Sequence, residues 1–137
     1  MPTRTFIEQY RACVNRIASL RGVRGIALVD SESGMVWAEA GALPDIEAIS
    51  EAAVEFWRLH QRVRSGLKSL GEPKAFAATF EHGLMWIVPV ALSSQREKLV
   101  AVAIAVPKAT DWSGVQAELR SLRDDVAERG ATAEMLS

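Results

Sequence analysis

The sequence predicts an α+β domain: a five-stranded antiparallel sheet with one long helix on one face and two terminal helices on the other, in the order α-β-β-α-β-β-β-α. Three observations predict it. Five short apolar runs of strand length are bounded by turn residues. Three longer stretches repeat their apolar residues at helical spacing. The last strand-like run, Leu99 to Val106, is apolar on both faces, which places it mid-sheet with helices above and below.

Phe6, Tyr10, Cys13, Val14, Ile17 and Leu20 recur at helical spacing, Thr5 with Glu8 can form a capping box, and Gly22 can close the helix. A hairpin follows. Its strands are Arg24 to Asp30, carrying Ile26, Ala27, Leu28 and Val29, and Met35 to Ala40, joined by turn residues Ser31 to Gly34. Gly41 to Pro44 punctuates the chain, and Asp45 is placed to accept hydrogen bonds from the first free amides of a long helix. That helix is expected to run to Leu70 and to stop at Gly71 and Pro73.

Strands are then expected at Ala75 to Phe80, Leu84 to Val90 and Leu99 to Val106. They are separated by Glu81-His82-Gly83 and by the polar loop Ser93 to Lys98, as in an antiparallel meander. Pro89 suits an edge position or the end of a strand's pairing. A capping box from Ser113 to Gln116 opens the final helix, whose stripe is Trp112, Val115, Leu119, Leu122 and Val126. Residues 1–128 are expected to form the domain and 129–137 a disordered tail.

The long helix is the unusual element. Trp57, Ile46, Ala53, His60, Ile49, Leu67, Phe56, Val63, Ala52, Leu70 and Leu59 fan over about 160°, against the ~100° one packed face needs. A single helix, ~10 Å wide, cannot cover five strands ~4.8 Å apart, so a second copy is expected beside it. Ile49, Phe56 and His60 are assigned to the core. On the flank, Ala48, Ala52, Glu55, Leu59, Arg62 and Gly66 recur with spacing 4,3,4,3,4, the rhythm of a helix-packing seam, although an alanine-rich solvated face would look similar. Phe56 and Val63 border that seam and join it in the expected dimer interface.

Asp45, Glu47, Glu51 and Glu55 fill the helix's first half, and Arg58, Arg62, Arg64 and Lys68 its second. Complementarity to the helix dipole explains this distribution by itself. Two copies crossing antiparallel would also juxtapose opposite charges, with Glu55 approaching Arg62 of a second copy. The third strand, with Ala75, Phe76, Ala77, Ala78 and Thr79, is short, uncharged and without edge-blocking devices. It is expected to pair with another copy, the alternative being a loop that shields it. Trp57, Arg58 and Arg62 are the candidate contacts for a different partner.

With 137 residues and no low-complexity run, one domain burying roughly two-thirds of its unfolded surface suffices. Sixteen basic and seventeen acidic side chains leave no electrostatic footprint for nucleic acid or an anionic membrane. No apolar run approaches the ~20 residues of a membrane span, no signal-peptide pattern is evident, and the lone Cys13 cannot form an internal disulfide, so a cytoplasmic location is expected. His60 reads as a hydrogen-bonded core histidine, His82 as a solvated turn residue and Cys13 as a buried, inert thiol. Two dispersed histidines and one cysteine make a poor zinc set, and neither GxxxxGK[ST] nor GxGxxG after a strand occurs. A non-enzymatic protein without a cofactor is expected.

Gly22-Val23-Arg24-Gly25-Ile26-Ala27-Leu28-Val29-Asp30, Ser33-Gly34-Met35-Val36, the acidic-to-basic long helix, the Glu81-His82-Gly83-Leu84 turn and the strand Leu99 to Val106 together resemble the roadblock domain of the dynein light-chain type. The likeness covers roughly residues 5 to 127; the link from Pro107 to Trp112 departs from it, being bulkier than the short glycine-containing link expected there. The resemblance implies a homodimer whose third strands pair into one continuous sheet with the middle helices side by side. It also implies binding or regulation of a small Ras-like GTPase, or a scaffolding role in motor and signalling complexes. In bacterial gliding motility such a dimer accelerates its GTPase without donating a catalytic side chain.

Two other readings of the same pattern stay open. One is a structural subunit of a larger assembly with no GTPase partner. The other is a small-ligand sensory domain, which the four tryptophans and the alternation of Ala with large residues oppose, because they suggest a filled core.

Overall fold

The computed structural model describes the backbone of residues 4–91 and 99–136 and the side chains of residues 6–90 and 99–125. Its elements are α1 (Arg4–Ala18), β1 (Val23–Asp30), β2 (Val36–Gly41), α2 (Ile46–Val63), a 3-10 segment (Arg64–Leu70), β3 (Phe76–Phe80), β4 (Gly83–Ala91), β5 (Leu99–Ala105) and α3 (Trp112–Leu136). The strands pair antiparallel throughout in the order β2-β1-β5-β4-β3. This is the predicted architecture, with β5 at the centre.

Two apolar layers sandwich the sheet, and β5 shows how. Leu99, Ala101 and Ala103 face α1 and α3, while Val100, Val102 and Ile104 face α2. All seven β5 residues are buried. The period-2 alternation of a strand sends successive residues to opposite faces, so a strand apolar at every position must lie between two layers. On the terminal-helix side the small Ala101 and Ala103 leave room for Tyr10, Val14 and Ile17 of α1 and Val115, Leu119 and Leu122 of α3. Arg16 Nε donates to Glu118 Oε2 at 2.7 Å and ties the two terminal helices together.

Local chemistry sets the turns. Asp30 Oδ1 accepts from the amides of Glu32 at 2.8 Å and Ser33 at 3.0 Å, an Asx-type turn that reverses β1 into β2. Gly22, at φ 83°, sits where a Cβ would lie 2.5 Å from Thr110 Oγ1, so only glycine fits between α1 and the β5–α3 link. Pro89 pairs with Val100 of β5 but lies beyond Phe76↔Ile87, where β3 pairing ends. Its missing N–H therefore breaks no ladder bond to β3.

Several helix ends differ from expectation. Helix α3 begins at Trp112, so the capping residue is Asp111, whose Oδ1 accepts the Gly114 amide at 2.9 Å, and not Ser113. Asp45 occupies the N-cap of α2 without a side-chain capping bond. The backbone leaves α geometry at Val63 (φ −104°, ψ 5°), so the single helix expected to reach Leu70 ends in a 3-10 segment closed by Gly71. Helix α1 starts at Arg4 and ends at Ala18, which puts Thr5 inside it rather than at its cap. The expected loop 93–98 and the side chains of Thr5 and Val126 lie outside the described residues; the stretch expected as a tail from 129 is helical backbone as far as Leu136.

The link from Pro107 to Trp112 departs from the sequence likeness in an instructive way. Lys108 has φ 71°, the left-handed region that favours glycine, and is the one non-glycine residue among those described with positive φ. Thr110 Oγ1 donates to the Val106 carbonyl at 2.6 Å, and Arg21 Nε donates to the Ala109 carbonyl at 2.9 Å. These bonds hold the link in place around the strained residue.

Beside this link, Trp112 stacks on Trp86 of β4 with ring centroids 3.8 Å apart and planes 16° from parallel. The contact seats the first turn of α3 on the sheet.

Candidate functional site

The face of α2 that meets the sheet consists of Ile46, Ser50, Ala53, Val54 and Trp57. This corrects the sequence reading at two neighbouring positions. Trp57, a candidate exposed contact, is 3% exposed, whereas Phe56, assigned to the core, is 52% exposed. Adjacent residues lie about 100° apart on a helix, so only one of two neighbouring large aromatics can face the sheet squarely. Ile49 and His60 are half-buried at the border.

With the helix set in that phase, its outward flank is apolar. Ala48 and Ala52 are exposed, and Phe56, Leu59 and Val63 follow at 52%, 47% and 46% exposure. Ala52, Phe56, Leu59 and Val63 advance by 4,3,4, the rhythm of helix-to-helix packing. The expected seam ran one residue aside, through Glu55 and Arg62, which flank the stripe and are also exposed. Leu67 and Leu70, at 39% and 79%, are also exposed, but the 3-10 geometry turns them away from Val63; neither belongs to the expected interface set. Their spacing from Phe56 and Val63 would carry the stripe onward only in a continuous α-helix.

The charged residues are partly committed within the chain. Arg58, a candidate exposed contact, donates from Nη2 to the Glu32 carbonyl at 2.6 Å and pairs through Nη1 with Glu55. It anchors α2 to the β1–β2 turn. Glu55 therefore has an intrahelical partner at i+3, and any approach to Arg62 of a second copy would compete with Arg58.

Strand β3 is the sheet's edge, hydrogen-bonded to β4 alone among the described strands. Ala77 and Thr79 are exposed on the face of the terminal helices, and Phe76 and Ala78 pack toward α2. Ala75 precedes the strand. The opposite edge, β2, carries the exposed charge Glu39, a device that discourages further pairing; β3 has none. A ring cluster joins the two expected interface elements: His60 lies 4.9 Å from Phe76 and 5.5 Å from Trp57, and Trp57 lies 5.9 Å from Phe76. These rings tie α2 to the edge strand from the inner side of the helix. His60 Nδ1 is buried there without a hydrogen-bond partner, contrary to the expected hydrogen-bonded histidine.

Beyond the cluster, His60, Arg64, Leu67, Lys68, Glu72 and Pro73 contribute to a concavity of about 320 Å³. Elsewhere the chemistry is quiet. Cys13 is buried, its Sγ 3.9 Å from the Glu118 carbonyl, and burial pushes its thiol up to about 11. His82 is exposed beside Glu81. Among the described residues, no group of three or more His, Cys, Asp or Glu could hold a metal ion, and no helix is long and apolar enough to cross a membrane.

No family model matches the chain, and no curated protein does. Solved structures do. The Roadblock/LC7 domain from Streptomyces avermitilis superposes with a TM-score of 0.66 at 15% identity, covering 89% of this chain and 94% of that one. The gliding protein MglB from Thermus thermophilus gives 0.69 at 14% identity over 96% of each chain. An MglB in a tetrameric arrangement gives 0.70 at 15% identity, over 97% of this chain and 96% of that one. At such identities the shared property is the fold.

Proposed function

We propose that this chain, which has the fold of the Roadblock/LC7 domain, is a non-enzymatic homodimeric regulator or scaffold that binds a small Ras-like GTPase and biases its nucleotide state or localisation. The observation that carries the reading is the outward stripe Ala52, Phe56, Leu59 and Val63, which lies beside an unblocked edge strand. Three large apolar side chains in helix-packing rhythm are costly to leave in water; a second copy of α2 would cover them. Pairing of β3 through Phe76, Ala77, Ala78 and Thr79 would satisfy the edge at the same time.

The acidic first half and basic second half of α2 favour an antiparallel crossing of two copies. Arg62, exposed on the flank, supports that crossing or the contact to the GTPase. The dimer would act by binding one switch conformation better than the other, since a ligand shifts an equilibrium only by its differential affinity. The sequence contains no phosphate-cradling loop of its own, which suits the GTPase's partner rather than the GTPase.

Sedimentation of the full chain tests the dimer: Leu59→Asp is expected to yield monomer, and Arg62→Glu to weaken self-association at low salt, with the effect fading at high salt. A parent that stays monomeric at all concentrations refutes the dimer. Capture of Ras-like GTPases loaded with GDP or with a GTP analogue tests the rest, with a preference of roughly 5- to 150-fold expected for one state. Equal recovery argues against switch recognition.

A further inference from the structure

The 3-10 segment Arg64–Leu70 has no buried residue, and every side chain in it is exposed. A 3-10 run of seven residues is long for that geometry, whose hydrogen bonds are poorer than those of an α-helix. Its sequence nonetheless continues the pattern of α2. At about 100° per residue, Ala52, Phe56, Leu59, Val63, Leu67 and Leu70 would all fall within an arc of about 80°. At the about 120° per residue of a 3-10 helix, Leu67 and Leu70 instead swing about 120° away from Val63. Leu67 accordingly lines the concavity with His60 and Pro73 rather than extending the stripe.

We infer that residues 64–70 wind into α-helix when a second copy covers α2, so that the interface runs unbroken from Ala52 to Leu70. This rests on the homodimer proposed above and adds to it a coupled ordering step. The occupant is a second copy because of charge: on one flank of the stripe, the exposed Arg62 of one copy meets the exposed Glu51 and Glu55 of the other in an antiparallel crossing. The obstacle is local. Arg64 already has αR dihedrals (φ −58°, ψ −30°), so the departure lies at Val63. Gly66 weakens the α form of the segment, and a Cβ there would meet nothing within 4 Å. The rewinding shortens the segment by about 3.5 Å, which the irregular link from Gly71 to Ala75 can take up.

The test uses the full chain, with sedimentation equilibrium for the dimer Kd and amide hydrogen exchange at residues 67–70 above and below that concentration. Protection of these amides is expected to rise on dimerisation. Gly66→Ala is expected to tighten Kd roughly 20-fold, about fivefold per copy from the helix preference of Ala over Gly. Leu70→Ser is expected to weaken Kd by at least about tenfold. A dimer whose exchange at 67–70 equals that of the monomer, or whose Kd is unmoved by both substitutions, overturns the inference and leaves the homodimer standing. A parent that is monomeric throughout, with Leu59→Asp identical to it, overturns both.

Discussion

Arg58 fastens the long helix to a turn far away in sequence: its Nη2 donates to the Glu32 carbonyl at 2.6 Å, while its other terminal nitrogen pairs with Glu55. Of these two contacts the carbonyl bond fixes position, because it joins two different elements. The exposed ion pair lies within one helix, and such pairs contribute little. Arg58→Ala is therefore expected to lower the unfolding free energy by about 1 kcal/mol, read from urea denaturation. Glu55→Ala should change it by less than about 0.5 kcal/mol.

Trp57 and Phe56 are neighbours with opposite roles. Trp57→Ala removes a buried ring from the cluster with His60 and Phe76 and is expected to cost about 3–5 kcal/mol. Phe56→Ala, at a half-exposed site, should leave monomer stability within about 0.5 kcal/mol when measured at high dilution. Equal costs at the two positions would mean that the helix is rotated from the phase described.

Burial raises the Cys13 thiol from 9.0 to about 11, with Glu118 and Asp125 adding to the rise and Arg16 opposing it. The unfolded chain releases this proton first, so the contribution is complete below pH ~9 and is lost as pH climbs from ~9 to ~11. Parent minus Cys13→Ala stability, measured across that interval, should decline with rising pH. The native thiol should also resist a disulfide reagent at pH ~8 that modifies it readily in urea.

Lys108 holds a left-handed conformation in the link before α3. Lys108→Gly removes a clash worth about 1–2 kcal/mol and adds about 0.5–1 kcal/mol of chain entropy cost, so stability should rise by up to ~1.5 kcal/mol. Lys108→Ala retains the Cβ and should give no such gain. Paired urea titrations of the two variants provide the comparison.

Periodicity made most of this fold legible. Strand β5 announced its central place because every one of its residues is apolar, and the meander was marked by Glu81-His82-Gly83. The phase of α2 was not legible to the same degree. A wide apolar arc does not state which of its edges meets the sheet, and it is Trp57, not Phe56, that packs edge-on against Phe76 of β3. The change to 3-10 geometry after Val63 was also hidden, since the residues that follow carry on the α-helical rhythm and only missing tertiary support distinguishes them. At α3, Ser113 satisfies a capping pattern as well as Asp111 does, and the choice between them depends on the starting residue of the helix.

The near-parallel stack of Trp86 on Trp112 has an optical consequence. Two indoles stacked this closely with nearly parallel planes couple their electronic transitions, and one belongs to the sheet while the other opens α3. The hypochromism of their stacked absorption is a label within the chain itself, one expected to be lost when α3 lifts from the sheet even while both elements keep their own hydrogen bonds. Detachment of the last helix can thus be timed separately from global unfolding, without attaching a dye.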